Sequence, residues 1–225
     1  MINNIIKPNW QAPNNINAFI TLKNCNILDV IDNKKNTVFW LEQEHGINIL
    51  PASNINKPKA DGSFTQQPNT ICIVKTADCL PILVCNKQGN FVAAIHAGWR
   101  GLAQGIIYNF FGIIKHLKLN YQDLLFWLGP AIGPNAFEVG EDVIEKFNDL
   151  DFGLYNNSFN YINNNKYLAN IYKIAITALT KFNINKSQIF SNNWNWCTYS
   201  QPDLFYSYRR EPNNTNRMFS LIWFD

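Results

Sequence analysis

Short apolar runs separated by turns restrict the fold of this sequence more than any other feature. Residues 70–75, 81–85 and 91–95 follow one another closely and are rich in Ile, Val and Leu. Runs of this length and composition predict β-strands. Residues 86–90 read NKQGN and supply Asn and Gly, which predicts a hairpin between the second and third runs.

The rest of the chain adds further strands and several helices to this sheet. Further strands are predicted at residues 38–41, 124–128 and 218–224, with another that ends near Ile20. Apolar residues at helical spacing predict helices over residues 101–115 and 168–181 and a short one from residue 143. Residues 51–70 are rich in Pro, Asn, Ser, Lys and Gly and predict a loop. We therefore predict one α/β domain over residues 1–225, a mixed β-sheet between helical layers.

Composition excludes several classes of protein. The net charge of +3 is too small to indicate a nucleic-acid partner. No stretch of about 18 apolar residues is present, which predicts no membrane span. The five cysteines are odd in number, and the start MINNIIKPNW has no signal-peptide pattern. We expect a cytosolic protein with reduced thiols; both a monomer and a homodimer remain possible.

Three potential metal ligands follow predicted strands. His45, Cys79 and His96 each stand at a strand end or a turn, and strand ends converge at one edge of a sheet. Two imidazoles and one thiolate form a catalytic zinc set that leaves a fourth position open. The alternative is that Cys79 is a small buried apolar residue and that each histidine is an ordinary core or surface group.

Nearby loops suggest an anion beside these ligands. Arg100 stands where a helix is predicted to begin, a position that disfavours a cation unless something negative binds there. Residues 129–134, GPAIGP, form a second loop that allows close backbone approach. Tyr208, Arg209 and Arg210 form a polar cluster in which the arginines match phosphate and the tyrosine can stack a base.

Several strings within these segments resemble the YfiH family. That family is also called laccase-domain protein, multicopper polyphenol oxidase, peptidoglycan editing factor and zinc purine nucleoside phosphorylase. The strings are QEHG (43–46), TADCLP (76–81), HAGWRGL (96–102), GPAIGP (129–134), FEVG (137–140) and YSYRR (206–210). They occur in the family's order and cover the chain from about residue 38 to its end.

The resemblance implies a fold, a metal and a reaction. The fold would be an α/β sandwich related to bacterial toxin deamidases with a Cys–His pair. Zinc would be bound by His45, Cys79 and His96. The implied reaction is phosphorolysis of adenosine, inosine, guanosine or methylthioadenosine, with adenosine deamination as a second activity. The implied partners are therefore a purine nucleoside and phosphate.

The chain departs from the family near its start. Members carry a Thr-Arg-x-Gly-Gly-Val-Ser segment, and residues 19–25 of this chain, FITLKNC, stand roughly there without its Arg or Gly-Gly. If that segment closes over the site, the substrate range and rate of this chain would differ. Members often also have Thr-Gly-Arg where this chain has Thr215, Asn216 and Arg217.

The residues leave the function open between classes. As a zinc enzyme, the chain would use Cys79, Arg100, Asp61 and Glu138 as its catalytic residues, with Asp78 as another available acid and no unique general acid or base. Without metal, Cys79 would be a nucleophile and His96 its base, acting on an amide such as a peptidoglycan precursor. A copper polyphenol oxidase is disfavoured because the sequence has three histidines. A binding module without turnover is the remaining alternative.

Overall fold

The secondary structure follows the predicted alternation of strands and helices. The computed structural model describes residues 4–31, 36–53 and 57–225. Its strands are β1 (Ile5–Ile6), β2 (Ile16–Thr21), β3 (Thr37–Phe39), β4 (Ile49–Pro51), β5 (Gly62–Thr65), β6 (Thr70–Thr76), β7 (Leu80–Asn86), β8 (Val92–Ala97), β9 (Leu124–Leu128), β10 (Glu138–Gly140), β11 (Phe159–Asn163), β12 (Lys166–Ala169), β13 (Ile189–Phe190) and β14 (Met218–Phe224). Its helices are α1 (Trp99–Gln104), α2 (Ile106–His116), α3 (Glu141–Leu150) and α4 (Ile171–Lys181).

Within the described residues the strands form three sheets. The five-stranded sheet has the order β1-β2-β14-β6-β3, and the six-stranded sheet has the order β13-β9-β7-β8-β5-β4. The three-stranded sheet has the order β10-β12-β11. Both large sheets are mixed, because β3–β6, β4–β5 and β13–β9 are parallel pairs among antiparallel ones. The predicted α/β class with mixed sheets is confirmed.

The predicted hairpin joins β7 to β8. The Asn86 side-chain oxygen accepts hydrogen bonds from the backbone N–H groups of Asn90 and Phe91, at 3.0 and 3.1 Å. Its amide also donates to the Asn90 side chain at 2.6 Å. The turn fixes the register, in which Leu80 lies opposite Ala97 and Pro81 opposite His96. One end of this hairpin therefore carries both Cys79 and His96.

The six-stranded sheet is buried on both faces, which explains its continuous apolar runs. One face packs against the five-stranded sheet through Leu83, Val92, Ala94, Leu125 and Trp127, which meet Ile20, Cys72, Val74 and Ile222. The other face packs against α2 and α4, with Ile82, Val84, Ile95 and Phe126 meeting Phe110, Phe111 and Ile174.

The order of the layers differs from the one predicted. The helices cover one face of the six-stranded sheet, and the five-stranded sheet covers the other. The outer face of the five-stranded sheet carries its own cluster of Phe19, Ile27, Ile31, Ile71, Ile73 and Leu221. A buried strand reads as apolar whether a helix or a second sheet covers it, so the strand runs do not specify the covering layer.

Three local expectations are corrected. The single helix predicted over residues 101–115 is two helices, since Gly105 has φ 93°, a left-handed value at which a helix ends. The loop predicted over 51–70 contains β5. The helix predicted from residue 168 begins at Ile171, because the preceding residues form β12. Among the described helices, none combines the length and the hydrophobicity needed to cross a bilayer.

Candidate metal and substrate site

His45, Cys79 and His96 meet at one end of the six-stranded sheet. Their nearest ligand atoms all lie within 4.8 Å of one another. The two imidazole rings are nearly perpendicular, with centroids 4.8 Å apart. His96 is buried, Cys79 is half-buried and His45 is exposed. This group is therefore anchored in the core on one side and accessible on the other.

Strand pairing around β8 explains why His96 and Cys79 meet. His96 lies near the end of β8, and Cys79 immediately precedes β7, its antiparallel partner. On the opposite side, β8 pairs with β5, in the register Gly62 to Ile95. Asp61 therefore flanks His96 on that side, and its carbonyl accepts the His96 backbone N–H at 2.6 Å. Three neighbouring strands thus place Cys79, His96 and Asp61 in a row.

The Asp61 carboxylate holds the two histidines in place. Its Oδ1 lies 2.7 Å from His96 Nδ1 and accepts the His45 backbone N–H at 2.9 Å. Its Oδ2 accepts the backbone N–H groups of Gly46 and Glu44, at 2.7 and 3.3 Å. A metal-binding histidine commonly donates its second ring N–H to such a carboxylate. With Nδ1 occupied, Nε2 of His96 is the nitrogen left for a ligand.

His45 adopts an unusual backbone conformation to reach this position. Its φ is 62°, in the left-handed region that non-glycine residues seldom occupy. The hydrogen bonds from three consecutive N–H groups to Asp61 stabilise that turn. Left-handed non-glycine residues cluster at functional sites, where the surrounding structure compensates their cost.

Two glycines of the HAGWRG string keep space open around the ligands. A Cβ at Gly98 would lie 3.1 Å from the Cys79 sulfur and 3.2 Å from His45 Cδ2. A Cβ at Gly101 would lie 2.7 Å from the Gly46 carbonyl oxygen, too close to be accommodated. Close backbone approach at this string, as predicted, lets α1 lie directly against the turn that carries His45.

The electrostatics favour a thiolate at Cys79. Burial alone would raise the pKa of its thiol, but the charge of His96 and hydrogen bonds from both histidines lower it to about 6. Burial would likewise lower the pKa of His96, but Cys79 and Asp61 raise it to about 9. Burial also acts against the Asp61 carboxylate, whose pKa nevertheless falls because His96 and backbone N–H groups hydrogen-bond to it. The thiolate is the form of cysteine that binds metals.

A cavity of about 740 Å³ opens onto the three ligands. Among the described residues, four of its lining side chains are cations, and one carboxylate, that of Asp78, lines it as well. The cations are Lys75, Arg100, Arg209 and Arg217. Trp99, Phe137 and Tyr208 supply aromatic surface. A positively charged cavity with aromatic walls suits an anion together with a flat aromatic group.

Three of the residues predicted for catalysis or substrate binding line the cavity beside the histidines and Cys79. They are Arg100, predicted to be catalytic, and Tyr208 and Arg209, predicted to bind substrate. Arg100 is exposed and stacks on the Trp99 ring, its Cζ 4.4 Å from the ring centroid. Arg209 donates both terminal nitrogens to the Glu138 carbonyl at 3.1 Å.

The substrate role predicted for Arg210 is corrected. Its guanidinium donates to the carbonyl oxygens of Thr198, Tyr199 and Phe205, at 2.6, 2.9 and 2.8 Å, and to the Glu211 carboxylate at 2.9 Å. These acceptors occupy its donor fork and turn it away from the cavity. Arg210 therefore cross-links the backbone of the segment that carries Tyr208 and Arg209.

Asp61 and Glu138, both predicted to be catalytic, do not line the cavity. The Asp61 carboxylate is fully buried behind the ligands and bonded to them. The Glu138 side chain pairs with Lys166, at 3.8 Å, and does not line the cavity. Spacing along the chain cannot distinguish a carboxylate behind a ligand from one that faces substrate.

Sequence reasoning missed Lys75 and Arg217 as cavity residues. Arg217 stands at the end of the segment compared with the family's Thr-Gly-Arg, and its Cζ lies 6.0 Å from the Tyr208 ring centroid. Residues 19–25, compared with the family's glycine-rich segment, do not line the cavity. The first three residues of this stretch belong to β2, where the Thr21 hydroxyl accepts the Phe219 backbone N–H at 2.8 Å.

Comparison with known proteins gives matches over nearly the whole chain. Residues 19–225 match the family described as multi-copper polyphenol oxidoreductase laccase. A protein of Haemophilus influenzae named purine nucleoside phosphorylase is 38% identical over 251 residues, which cover 98% of this chain and 99% of that protein. Purine nucleoside phosphorylase YfiH of Escherichia coli is 44% identical over 187 residues, 82% of this chain and 72% of that protein.

A solved structure shares both the fold and detectable sequence similarity. The crystal structure of a Neisseria meningitidis protein superposes with a TM-score of 0.89 at 32% identity. The superposition covers 99% of this chain and 100% of that one. The arrangement of sheets and helices described above is therefore that of an experimentally observed fold.

The corrected role of Arg210 gives a testable stability effect. A lysine at this position cannot reproduce a planar fork that reaches three carbonyl groups. We expect Arg210→Lys to lower the free energy of unfolding by about 2 kcal/mol, the scale of hydrogen bonds from a charged group. Urea denaturation measures this effect.

Arg100→Lys is the matched control, because Arg100 is exposed. We expect it to change the stability by less than about 0.5 kcal/mol. Wild-type stability in Arg210→Lys together with weaker phosphate binding would restore the substrate role predicted from the sequence.

Proposed function

We propose that this chain, which belongs to the family described as multi-copper polyphenol oxidoreductase laccase, is a zinc-dependent purine nucleoside phosphorylase. The observation that carries the proposal is the cationic, aromatic-walled cavity that opens onto His45, Cys79 and His96. Relatives 38% and 44% identical bear the name purine nucleoside phosphorylase, which supports the same reaction. We also propose that residues 1–225 form one catalytic domain and that the protein is cytosolic.

The donor set supports zinc rather than copper. Two imidazoles and a thiolate, with the buried Asp61 behind His96, form a set typical of an open zinc site. The one other histidine of the chain, His116, ends α2 and lines a different cavity. Multicopper oxidases need several copper ions and more histidine ligands than these, so we do not propose oxidation of phenols. Zinc held by the three side chains would supply a Lewis acid beside the cavity.

The cationic side chains provide the phosphate site. In phosphorolysis the bond between C1′ of the sugar and the base nitrogen breaks, and a phosphate oxygen forms a new bond to C1′. The base takes up the proton that hydrogen phosphate gives up, and the sugar leaves as its 1-phosphate. Lys75, Arg100, Arg209 and Arg217 would bind phosphate and neutralise its charge as it approaches the sugar.

The aromatic walls provide a site for the purine. Tyr208 is 55% exposed and lies at the cavity surface, and Trp99 and Phe137 line the same space. Each ring offers an apolar face on which a flat base can stack. The base is therefore recognised by its shape, which fits a range covering adenosine, inosine, guanosine and methylthioadenosine. Adenosine deamination would be a separate reaction, in which water attacks C6 of the purine and ammonia leaves.

A second candidate is a metal-free cysteine hydrolase acting on an amide. The observation that favours it is the row of Cys79, His96 and Asp61, in which His96 lies between a thiol and a carboxylate. That order resembles the nucleophile, base and orienting group of cysteine hydrolases. Amide hydrolysis that survives removal of zinc and stops when Cys79 is alkylated would favour this candidate over the phosphorylase.

The first prediction from this proposed function concerns metal binding. We expect the wild-type chain to bind about one zinc ion, and Cys79→Ala to lose it because the thiolate ligand is removed. We expect Asp61→Asn to weaken zinc binding by about 10–100-fold, since the NH2 group of the amide is a donor and would face either the His96 side or the N–H groups of Glu44 and Gly46. Competition with a chromophoric chelator measures these affinities without any assay of activity.

Cys72→Ala and Cys85→Ala are the matched controls. Both thiols are fully buried between the sheets, and burial raises the pKa of each to about 12, so neither is a ligand. Both variants should bind zinc as the wild type does. Wild-type zinc affinity in Cys79→Ala would exclude the proposed ligand set.

The second prediction concerns phosphate. Arg100→Ala should raise the apparent KM for phosphate by about tenfold, the effect of losing one charged hydrogen-bonding partner, and leave zinc content unchanged. Deamination of adenosine uses water and should change less. The two reactions are compared on adenosine across a phosphate titration. Equal loss of both would show that Arg100 supports the site generally and does not bind phosphate.

A further inference from the structure

Asp78 is the acidic side chain of the cavity, and its backbone is strained. It directly precedes the ligand Cys79, and its φ is 85°, a left-handed value. A non-glycine residue in that region costs free energy and persists where the surrounding contacts enforce it. The contacts of Asp78 therefore indicate what this residue does.

Three separate segments hydrogen-bond to Asp78. Its Oδ1 accepts the Thr198 hydroxyl at 2.6 Å, and its Oδ2 accepts the Arg209 backbone N–H at 2.6 Å. Its carbonyl oxygen accepts the Ile132 backbone N–H at 2.9 Å. Both carboxylate oxygens are thus engaged by short bonds to the protein, which suits a structural anchor better than a proton carrier.

The bonded segments contribute to the walls of the cavity. Ile132, from the GPAIGP loop, lines the cavity. Arg209 and the preceding residue, Tyr208, line it as well. Thr198 joins two of these segments, because its backbone N–H donates to the Ala131 carbonyl at 3.0 Å. The Asp78 carboxylate therefore connects the segments of Thr198 and Arg209 to Cys79, the residue that precedes β7.

Arg209 is fixed at both of its ends. Its backbone N–H is held by Asp78, and its guanidinium donates to the Glu138 carbonyl oxygen. A backbone shift at residue 209 would therefore move the guanidinium relative to the ligands. It would also move Tyr208, the preceding residue.

We propose that Asp78 is a positioning residue that sets Tyr208 and Arg209 against the Cys79 ligand, and that it does not act as a general acid or base. The kinetic part of this inference rests on the proposed phosphorolysis. The structural part rests on the three bonds alone. Amide hydrogen exchange tests the structural part, and the KM for phosphate tests the kinetic part.

Two substitutions at Asp78 distinguish positioning from proton transfer. Asp78→Asn keeps an oxygen that accepts the Arg209 N–H, and its amide can donate to the Thr198 hydroxyl after that hydroxyl rotates. Asparagine also tolerates the left-handed backbone. Asp78→Ala loses both bonds. A general acid or base would be lost equally in both variants.

Thr198→Val tests the same connection from outside the cavity. Thr198 is fully buried and does not line the cavity, so it touches no substrate. Removing its hydroxyl leaves Asp78 Oδ1 without this donor. If Asp78 acts by position, Thr198→Val should resemble a mild form of Asp78→Ala.

The first measurement is amide hydrogen exchange over residues 196–210, which needs no assumption about the reaction. We expect faster exchange at and around Arg209 in Asp78→Ala, a smaller increase in Thr198→Val, and near wild-type protection in Asp78→Asn. Zinc content should stay unchanged in all three. Asp203→Ala, which changes an exposed acid of the same segment, is the control and should exchange as the wild type does.

The second measurement is the KM for phosphate. Asp78→Ala should raise it by about tenfold and Asp78→Asn by less than about threefold, because the aspartate-to-alanine change alone frees Arg209. Equal loss of kcat in both Asp78 variants, with wild-type exchange, would overturn the proposal and make Asp78 an acid or base. If the wild type shows no phosphorolysis, the proposed function fails, while the exchange pattern still decides the positioning role.

Discussion

The bond between the Asp61 carboxylate and the His96 ring is the interaction on which the site depends. Asp61 is fully buried, yet its oxygens accept from one imidazole and three consecutive backbone N–H groups. A buried carboxylate is costly unless it is satisfied in this way. By accepting these bonds, Asp61 fixes the usable nitrogen of His96 and the strained turn that carries His45. The candidate metal site is thus held in place by a buried residue that does not line the cavity.

The sheet places the remaining groups around that bond. β8 carries His96 between β5, which follows Asp61, and β7, which follows Cys79. α1 brings Trp99 and Arg100 to the same edge, and β6 brings Lys75. Loops bring the remaining lining rings and cations, Phe137, Tyr208, Arg209 and Arg217. Asp61 orders the ligands and Asp78 joins the walls to them, so two carboxylates maintain a cavity whose free charges are positive. This division of roles suits an anionic substrate next to a metal.

The sequence was sufficient to predict several strands and to predict that His45, Cys79 and His96 meet, in a group that could hold a metal. β9 and β14 have the predicted bounds, and the β7–β8 hairpin follows from its Asn and Gly turn. β5 was missed because Gly62, Ser63, Phe64 and Thr65 have the composition of a loop, and only its pairing with β8 makes it a strand. Arg210 resembled a phosphate ligand because the chain cannot show that nearby carbonyl groups occupy its donors. Arg217 was missed because its position in the cavity depends on how the last loop folds back. Local pattern thus predicted the elements, whereas the direction of each charged side chain is set by tertiary contacts.

The central claim is that His45, Cys79 and His96 bind one zinc ion as a set. X-ray absorption at the zinc edge of the zinc-loaded protein tests it most directly, because it reports the ligand atoms themselves. The account predicts one sulfur at about 2.3 Å and two imidazole nitrogens at about 2.0–2.1 Å, with lighter atoms completing the shell. A zinc shell that contains only nitrogen and oxygen, unchanged in Cys79→Ala, would contradict it.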